Sequence, residues 1–216
     1  MKMRFFRRIS ISAVLLLLCA ASYGKSGGHP GFFRVFTFGI EGNYIGTAAS
    51  YRHFNFVSSY GYRVDQRFWR TGYHSNGEFL IHAGFNVSRR VNMSFYTGYS
   101  GISRMEHTYP LTLRVTYYFS GEEMERKWFA FADAGPGFYK SSDRMVMSGI
   151  FKLGGGYRIP LSLCSSLDFM VSVRNVMTNT SVPDFNTGTQ FFISGDNLRR
   201  NNAVYLSFVF GIGLTF

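Results

Sequence analysis

The sequence lacks the long apolar runs that membrane-spanning helices need. Beyond residue 24, no segment approaches the ~18 consecutive apolar residues of such a helix. Cysteine is nearly absent. The sequence has two cysteines, and only Cys164 lies beyond residue 24. A lone cysteine forms no internal disulfide and supplies no cysteine cluster for a metal. Charged residues make up 16% of the 216 residues, below the ~25% of an average soluble domain.

The first 24 residues have the order of a secretory signal peptide. A basic start with Lys2, Arg4, Arg7 and Arg8 precedes an apolar run, and small residues follow that run. We expect cleavage after Gly24, which leaves a mature chain of residues 25–216. The leader removes four of the 23 Lys and Arg residues and no acid, so the mature net charge is +7. A basic exported protein suits an acidic surface such as lipopolysaccharide, and export argues against nucleic acid.

Phenylalanine, tyrosine and glycine are abundant, with 24, 14 and 24 copies. The segment 203–216 alternates large apolar residues with small or semi-polar ones, and such alternation over about ten residues is typical of a transmembrane β-strand. Strands enter a membrane only as a closed barrel, because an open edge leaves backbone groups unpaired in lipid. The sequence therefore predicts an all-β protein, a transmembrane antiparallel up-and-down barrel.

The number of strands depends on one ambiguous segment, residues 43–76. Eight other segments alternate as strands: 32–42, 78–87, 91–102, 110–119, 128–139, 146–159, 166–176 and 203–216. If 43–76 is a surface loop, the barrel has eight strands, and if it forms a membrane hairpin, the barrel has ten. Its crowded arginines and poor alternation favour eight strands with an ordered, aromatic first loop.

Charged residues of these strands share the face opposite the large apolar side chains. The inward set is Glu41, His82, Arg114, Asp133, Lys152, Arg158, Asp168 and Arg174. An eight-stranded barrel encloses room only for its own side chains, and buried charges require partners. We therefore predict an interior plugged by paired charges, with a narrow porin as an alternative.

The signal peptide, the Gly-rich amphipathic strands and a terminal strand that ends in Phe216 resemble those of small outer-membrane β-barrel proteins. The stretches FTFGIEGNY, WFAFADAGPGF and KLGGGYRI are similar to those of uncharacterised proteins with an outer-membrane β-barrel domain. This resemblance covers nearly the whole mature chain. It implies an outer-membrane location and no known activity. It also implies that Phe216 is the signal read by the barrel-assembly machinery.

Few residues are spaced for catalysis. The segment HSNGE, with His74, Ser75 and Glu78, resembles a lipid A deacylase site. Adjacent strand residues point to opposite faces, however, and Asn-Gly is an ordinary turn signal. We interpret the segment as a turn and His82 as a hydrogen-bonded core residue. A membrane-embedded lipid A hydrolase stays an alternative, and we expect no cofactor and no metal site.

Cations in the predicted loops could meet anionic lipid. Arg63, Arg67 and Arg70 lie in the first loop, and Arg199 and Arg200 precede the last strand. They could bind lipopolysaccharide phosphates through charge-assisted hydrogen bonds, although a solvated surface explains them equally well. The expected function is an integral outer-membrane barrel with a structural or surface-interaction role, whose partners are membrane lipids and the assembly machinery.

Overall fold

The described residues form a closed barrel of eight antiparallel strands. The computed structural model describes residues 35–58, 60–102, 106–121, 125–141, 144–162, 165–179, 182, 193 and 197–216. Its strands are β1 (Phe36–Val57), β2 (Arg63–Asn86), β3 (Val91–Gly101), β4 (His107–Tyr118), β5 (Lys127–Ser141), β6 (Arg144–Pro160), β7 (Ser166–Thr178) and β8 (Leu198–Thr215). Each strand pairs with the next, and β8 pairs with β1. The predicted eight strands are confirmed, whereas the ten-stranded alternative is wrong. The leader 1–24 lies outside the described residues.

In the described strand segments that form the barrel wall, the outer face carries no charged side chain. Every second residue points outward in 36–46, 77–85, 91–99, 109–117, 128–138, 145–157, 167–177 and 204–214, and opposed residues of neighbouring strands share a face. These positions hold aliphatic, aromatic, Gly, Ala and Pro residues, with Thr97 and Asn175 as the exceptions. Most of the large ones are exposed, among them Phe95, Leu153 and Phe210.

Within the described residues, no helix has the length and apolar character required to cross a bilayer.

Three strands continue past the end of the barrel wall. Residues 49–57 of β1 pair with residues 63–71 of β2 on one side and with β8 from Leu198 onward on the other. β3 begins to pair with β2 only at Glu78, and β7 reaches β8 only at Ala203. We call residues 49–57, 63–75 and 198–202 the sheet extension. The predicted first loop is therefore a continuation of the barrel strands.

The physical reason for this difference lies in the packing of the sheet extension. Phe54 and Phe56 are buried against Val182, and Val64, Ile193 and Leu198 pack on the same cluster. A register shift between Thr47 and Ala49 marks the point where the extension leaves the barrel. Side chains turn to different faces across such a shift. The alternation read from the sequence is therefore interrupted there, although the strand itself continues.

Candidate functional site

Arg114 is the centre of the charged barrel interior. Its Nε lies 2.6 Å from Asp133 Oδ1 on the neighbouring β5, and its Nη1 lies 2.6 Å from Glu41 Oε2 on β1, which is not a neighbour of β4. The guanidinium also lies over the rings of Tyr96 and Phe131, 3.9 and 4.3 Å from their centroids. All three charged side chains are almost fully buried. One arginine thus ties two carboxylates from different parts of the wall.

A second charged group contains Glu78, which was missed in the sequence. The carboxylate of Glu78 pairs with Lys152 at 2.5 Å and accepts a hydrogen bond of 2.7 Å from Ser100. Asn43 Nδ2 donates to Glu78 and to Glu41, at 2.7 Å each, and so links the two groups. Glu78 lies two residues before the buried Leu80 on β2, so the strand's alternation was the available signal. The Asn-Gly pair beside it had suggested a turn instead.

The remaining predicted interior residues also lie inside the barrel. Arg158 forms a two-point pair with Asp168, with both N–O distances at 2.6 Å. Arg174 donates to the Ser100 hydroxyl and to the Gly101 carbonyl oxygen, at 2.8 Å each. Around the barrel wall, four charged residues lie side by side on the consecutive strands β4 to β7, namely Arg114, Asp133, Lys152 and Arg174. Buried Lys127 on β5 is a further inward cation, 5.0 Å from the Tyr118 ring centroid, which the sequence had not indicated.

Two apolar clusters lie along the interior. The first borders the layer of Arg114, Asp133, Lys152 and Arg174 on the side of the sheet extension, and the second separates that layer from Lys127, Arg158 and Asp168. The first contains Ile102, Tyr139, Ile150, Val176, Ala203 and Tyr205, and the second contains Tyr118, Phe129, Phe131 and Met170. Between the charges and the second cluster lies a cavity of about 20 Å³, lined by His82, Arg114 and Asp168 among others. That volume is room for about one water molecule.

His82 takes part in the interior as an aromatic ring. It stacks on Tyr96 with a centroid distance of 4.7 Å, and its Nδ1 has no hydrogen-bond partner among the described residues. No hydrogen bond joins it to Glu41 or Asp168 in the described part of the chain. A histidine that acts as a general base is held in orientation by a hydrogen bond to a third group such as a carboxylate.

The outer face of the sheet extension is a polar ladder. His53 Nε2 lies 3.1 Å from Asp65 Oδ1 and 3.2 Å from Arg67 Nε. Asn55 donates to Asp65 at 3.1 Å and accepts from Arg63 at 3.2 Å. The sequence had given no spacing that tied His53 to Asp65, because the hairpin register alone brings them together. Arg63 and Arg67 therefore share one face and are both exposed.

The other predicted lipid-contact arginines are distributed around this face. Arg200 is opposed to Asn55, so it lies on the face of Arg63 and Arg67. Arg70 is opposed to Ser50, which places it on the opposite face. Arg199 lies at a register shift of β8 and is exposed. The structure thus groups three of the five cations.

Near the start of the extension, two phenols bridge β1 and β2. Tyr44 and Tyr73 share a short hydrogen bond between their hydroxyls. That hydrogen bond raises the pKa of Tyr73, which stays neutral at pH 7.

His74 and Ser75 are neighbours within β2, so the turn predicted for this segment is wrong. His74 is opposed to Thr47 and Ser75 to Gly46, which points the two side chains to opposite faces of the sheet. The His–Ser geometry of a deacylase is therefore not formed by this pair. No group of three or more His, Cys, Asp or Glu residues in the described ranges is arranged to hold a metal ion.

Phe216 joins the seam between the first and last strands. Its N–H donates to the carbonyl oxygen of Phe38 at 2.7 Å, and the Phe38 N–H donates in return at 3.1 Å. The two rings stack with centroids 6.1 Å apart. Phe216 thus contributes both backbone and ring contacts to barrel closure.

No protein-family model matches this sequence, and no curated protein matches it either. The chain is similar to the solved structure of Neisserial surface protein A, with 12% identity, a TM-score of 0.44, and coverage of 83% of this chain and 97% of that one. It is also similar to the outer membrane protease OmpT from Escherichia coli (8% identity, TM-score 0.42, 89% and 99% covered). A third similar structure is that of outer membrane protein AlkL in lipid bilayers (12%, 0.37, 89% and 94%). The barrel assignment rests on the chain's own strand register.

Proposed function

We propose that this chain is an integral outer-membrane protein that conducts no solute and presents the sheet extension outside the cell. The observation that carries this proposal is the uncharged outer face of the wall. Exposed apolar surfaces larger than a few hundred Å² mark membrane or protein contacts. A closed strand barrel leaves no edge unpaired in lipid. The outward aromatic, aliphatic and glycine residues suit hydrocarbon and little else.

The packed interior supports a non-conducting role over the porin alternative. Four acidic and five basic side chains occupy the barrel interior at two levels, an apolar cluster lies between these levels, and a second apolar cluster lies toward the sheet extension. Charges buried at this depth are stable only when paired, and most of these are paired within hydrogen-bonding distance. The lipid A hydrolase alternative receives no support from His74 and Ser75. We therefore assign the protein a structural and surface-interaction role.

The arginine face of the sheet extension supports contact with lipopolysaccharide. Arg63, Arg67 and Arg200 lie on one exposed face of a sheet that continues directly from the membrane wall. Phosphate groups bind arginine through charge-assisted hydrogen bonds. We assign these three cations to the contact, while Arg70 on the other face is not part of it.

Two tryptophans make the membrane assignment testable. Trp128 is 65% exposed on the outer face of β5, and Trp69 is 71% exposed on the sheet extension. Phospholipids brominated on the acyl chain should quench the fluorescence of Trp128 in the Trp69→Phe variant. They should leave Trp69 unquenched in the Trp128→Phe variant, because the extension stands clear of the acyl chains. Equal quenching of both residues, or of neither, would contradict the proposed insertion.

A further inference from the structure

β2 has a free edge along the sheet extension. Residues 63–71 pair with β1 on one side, and no described residue pairs with their other side. Most side chains in this stretch are exposed, with Trp69 at 71%. Inside the membrane wall every strand has two neighbours, so this edge is a feature of the extension alone.

The register shows which backbone groups this edge offers. The N–H of Ser58 donates to the Tyr62 carbonyl oxygen at 2.9 Å, so the bonded pairs of β1 and β2 beyond the register shift are even-numbered on β2. Bonding alternates along an antiparallel pair. The odd-numbered residues from Arg63 to Thr71 therefore direct their N–H and C=O groups away from β1. Five consecutive odd positions form a template for an added strand.

Natural sheets usually block such an edge with proline, a bulge or a covering segment. Residues 63–75 contain no proline, and the register from Arg63 to Thr71 is unshifted. Charge is the device that this edge does carry. The sheet extension contains six arginines and one acidic residue, namely Arg52, Arg63, Arg67, Arg70, Arg199, Arg200 and Asp65. This imbalance repels basic strands and attracts acidic ones.

We propose that the free edge of β2 binds an extended, acidic segment of a partner protein by strand addition. The inference rests on the proposed function, because it takes the sheet extension as exposed outside the cell. Main-chain hydrogen bonds to the odd-numbered residues hold the segment, and the alternating side chains select it.

The side-chain pattern on the outer face defines the preferred partner sequence. Arg63 and Arg67 lie four residues apart with Asp65 between them, all on one face. Directly opposed opposite charges stabilise a strand pair, and like charges destabilise it. The fitting segment therefore carries acidic residues at two positions four apart, with a neutral or basic residue midway.

A second copy of this chain fits the edge less well. Two copies in one membrane orient β2 in the same direction, so their edges do not meet as an antiparallel pair. A parallel contact of two like-charged segments brings arginine toward arginine. The acidic segment of a different protein is the occupant that the charge pattern favours.

Trp69 on the edge strand provides the readout. The Trp128→Phe variant, folded in detergent, is titrated with an alternating peptide that carries Glu at two positions four residues apart and Thr midway. We expect a saturable change in Trp69 emission, and no such change with the same peptide bearing Lys for Glu. Arg63→Gln combined with Arg67→Gln should weaken peptide binding by about tenfold, since two cross-strand charge pairs are lost.

A backbone variant separates strand addition from simple charge attraction. Thr71→Pro removes an N–H that faces the free edge and leaves the bonds to β1 intact, whereas Thr71→Val keeps that N–H. Loss of affinity in the first variant, with the second unchanged, supports the proposal. Heat-modifiable gel mobility verifies that each variant is folded.

Four outcomes would overturn the proposal. Three are equal binding of the Glu and Lys peptides, acidic-peptide binding that Thr71→Pro does not weaken, and concentration-dependent pairing of the protein without peptide. The fourth is lipopolysaccharide binding that needs Arg63 and Arg67 with no peptide response, because these arginines would then serve only the lipid contact of the proposed function. The titration runs in detergent, so its failure leaves the bromolipid result, and the membrane assignment, unaffected.

Discussion

At the scale of single residues, Arg114 is the side chain on which the charged interior depends. It pairs with Glu41 and Asp133 together, so Arg114→Met leaves two buried carboxylates without their cation. Breaking a buried ion pair from one side costs about 3–5 kcal/mol. We expect the temperature at which the folded gel band converts to the unfolded one to fall markedly. Adding Glu41→Gln and Asp133→Asn should recover part of the loss. Stability equal to that of the parent would contradict this role.

The residue scale also shows what a sequence conveys about pairing. Alternation is enough to place Arg114, Lys152 and Asp168 on the inward face, because strand parity is a local property. Alternation does not show which residues pair across the lumen, where Glu41 pairs with Arg114 of β4 and Glu78 pairs with Lys152 of β6. Glu78 was not predicted as an interior residue, because the preceding Asn-Gly pair is typical of a turn. Tertiary pairing of β1 with β2 overrides that local preference.

At the scale of the strand, inward glycines set how closely side chains pack inside the barrel. A Cβ on Gly156 would overlap the Phe169 carbonyl oxygen and lie 2.5 Å from the Phe129 ring, whereas a Cβ on outward Gly42 would meet nothing within 4 Å. Gly156→Ala should therefore destabilise the barrel by about 1–3 kcal/mol, as overpacking does. Gly42→Ala is the matched control and should be tolerated. The measurement is urea unfolding followed by gel mobility, and equal stability of the two variants would contradict the packing argument.

At the scale of the strand, the sequence predicted the bounds of some strands well and of others poorly. The bounds of β3, β4 and β7 were predicted to within about three residues, because their alternation is unbroken. β1 and β2 were predicted far too short. The register shift after Thr47 changes the face of each later side chain, and the cluster around Phe54 is completed by residues from a distant loop. Neither effect leaves a periodic trace in the sequence.

At the scale of the whole molecule, the interior layers predict electrical silence. Planar bilayers that contain the protein should show no conductance steps, whereas a wide-lumen porin added by the same protocol should. The double variant Glu78→Ala with Lys152→Ala should stay silent as well, because the Tyr139–Tyr205 and Phe129–Met170 clusters still fill the barrel. Discrete steps from the parent protein would contradict a filled interior. Conductance steps from the double variant but not from the parent would mean that the Glu78–Lys152 pair alone blocks the passage of ions.

The sheet extension shares its strands with the membrane wall, without a hinge or linker between them. A tether attached along β2 would pull nearly parallel to strands that run on into the barrel. Tension in that direction stretches many ladder hydrogen bonds at once, rather than opening them one after another. A partner bound to the sheet extension is therefore mechanically coupled, through the barrel strands, to the bilayer.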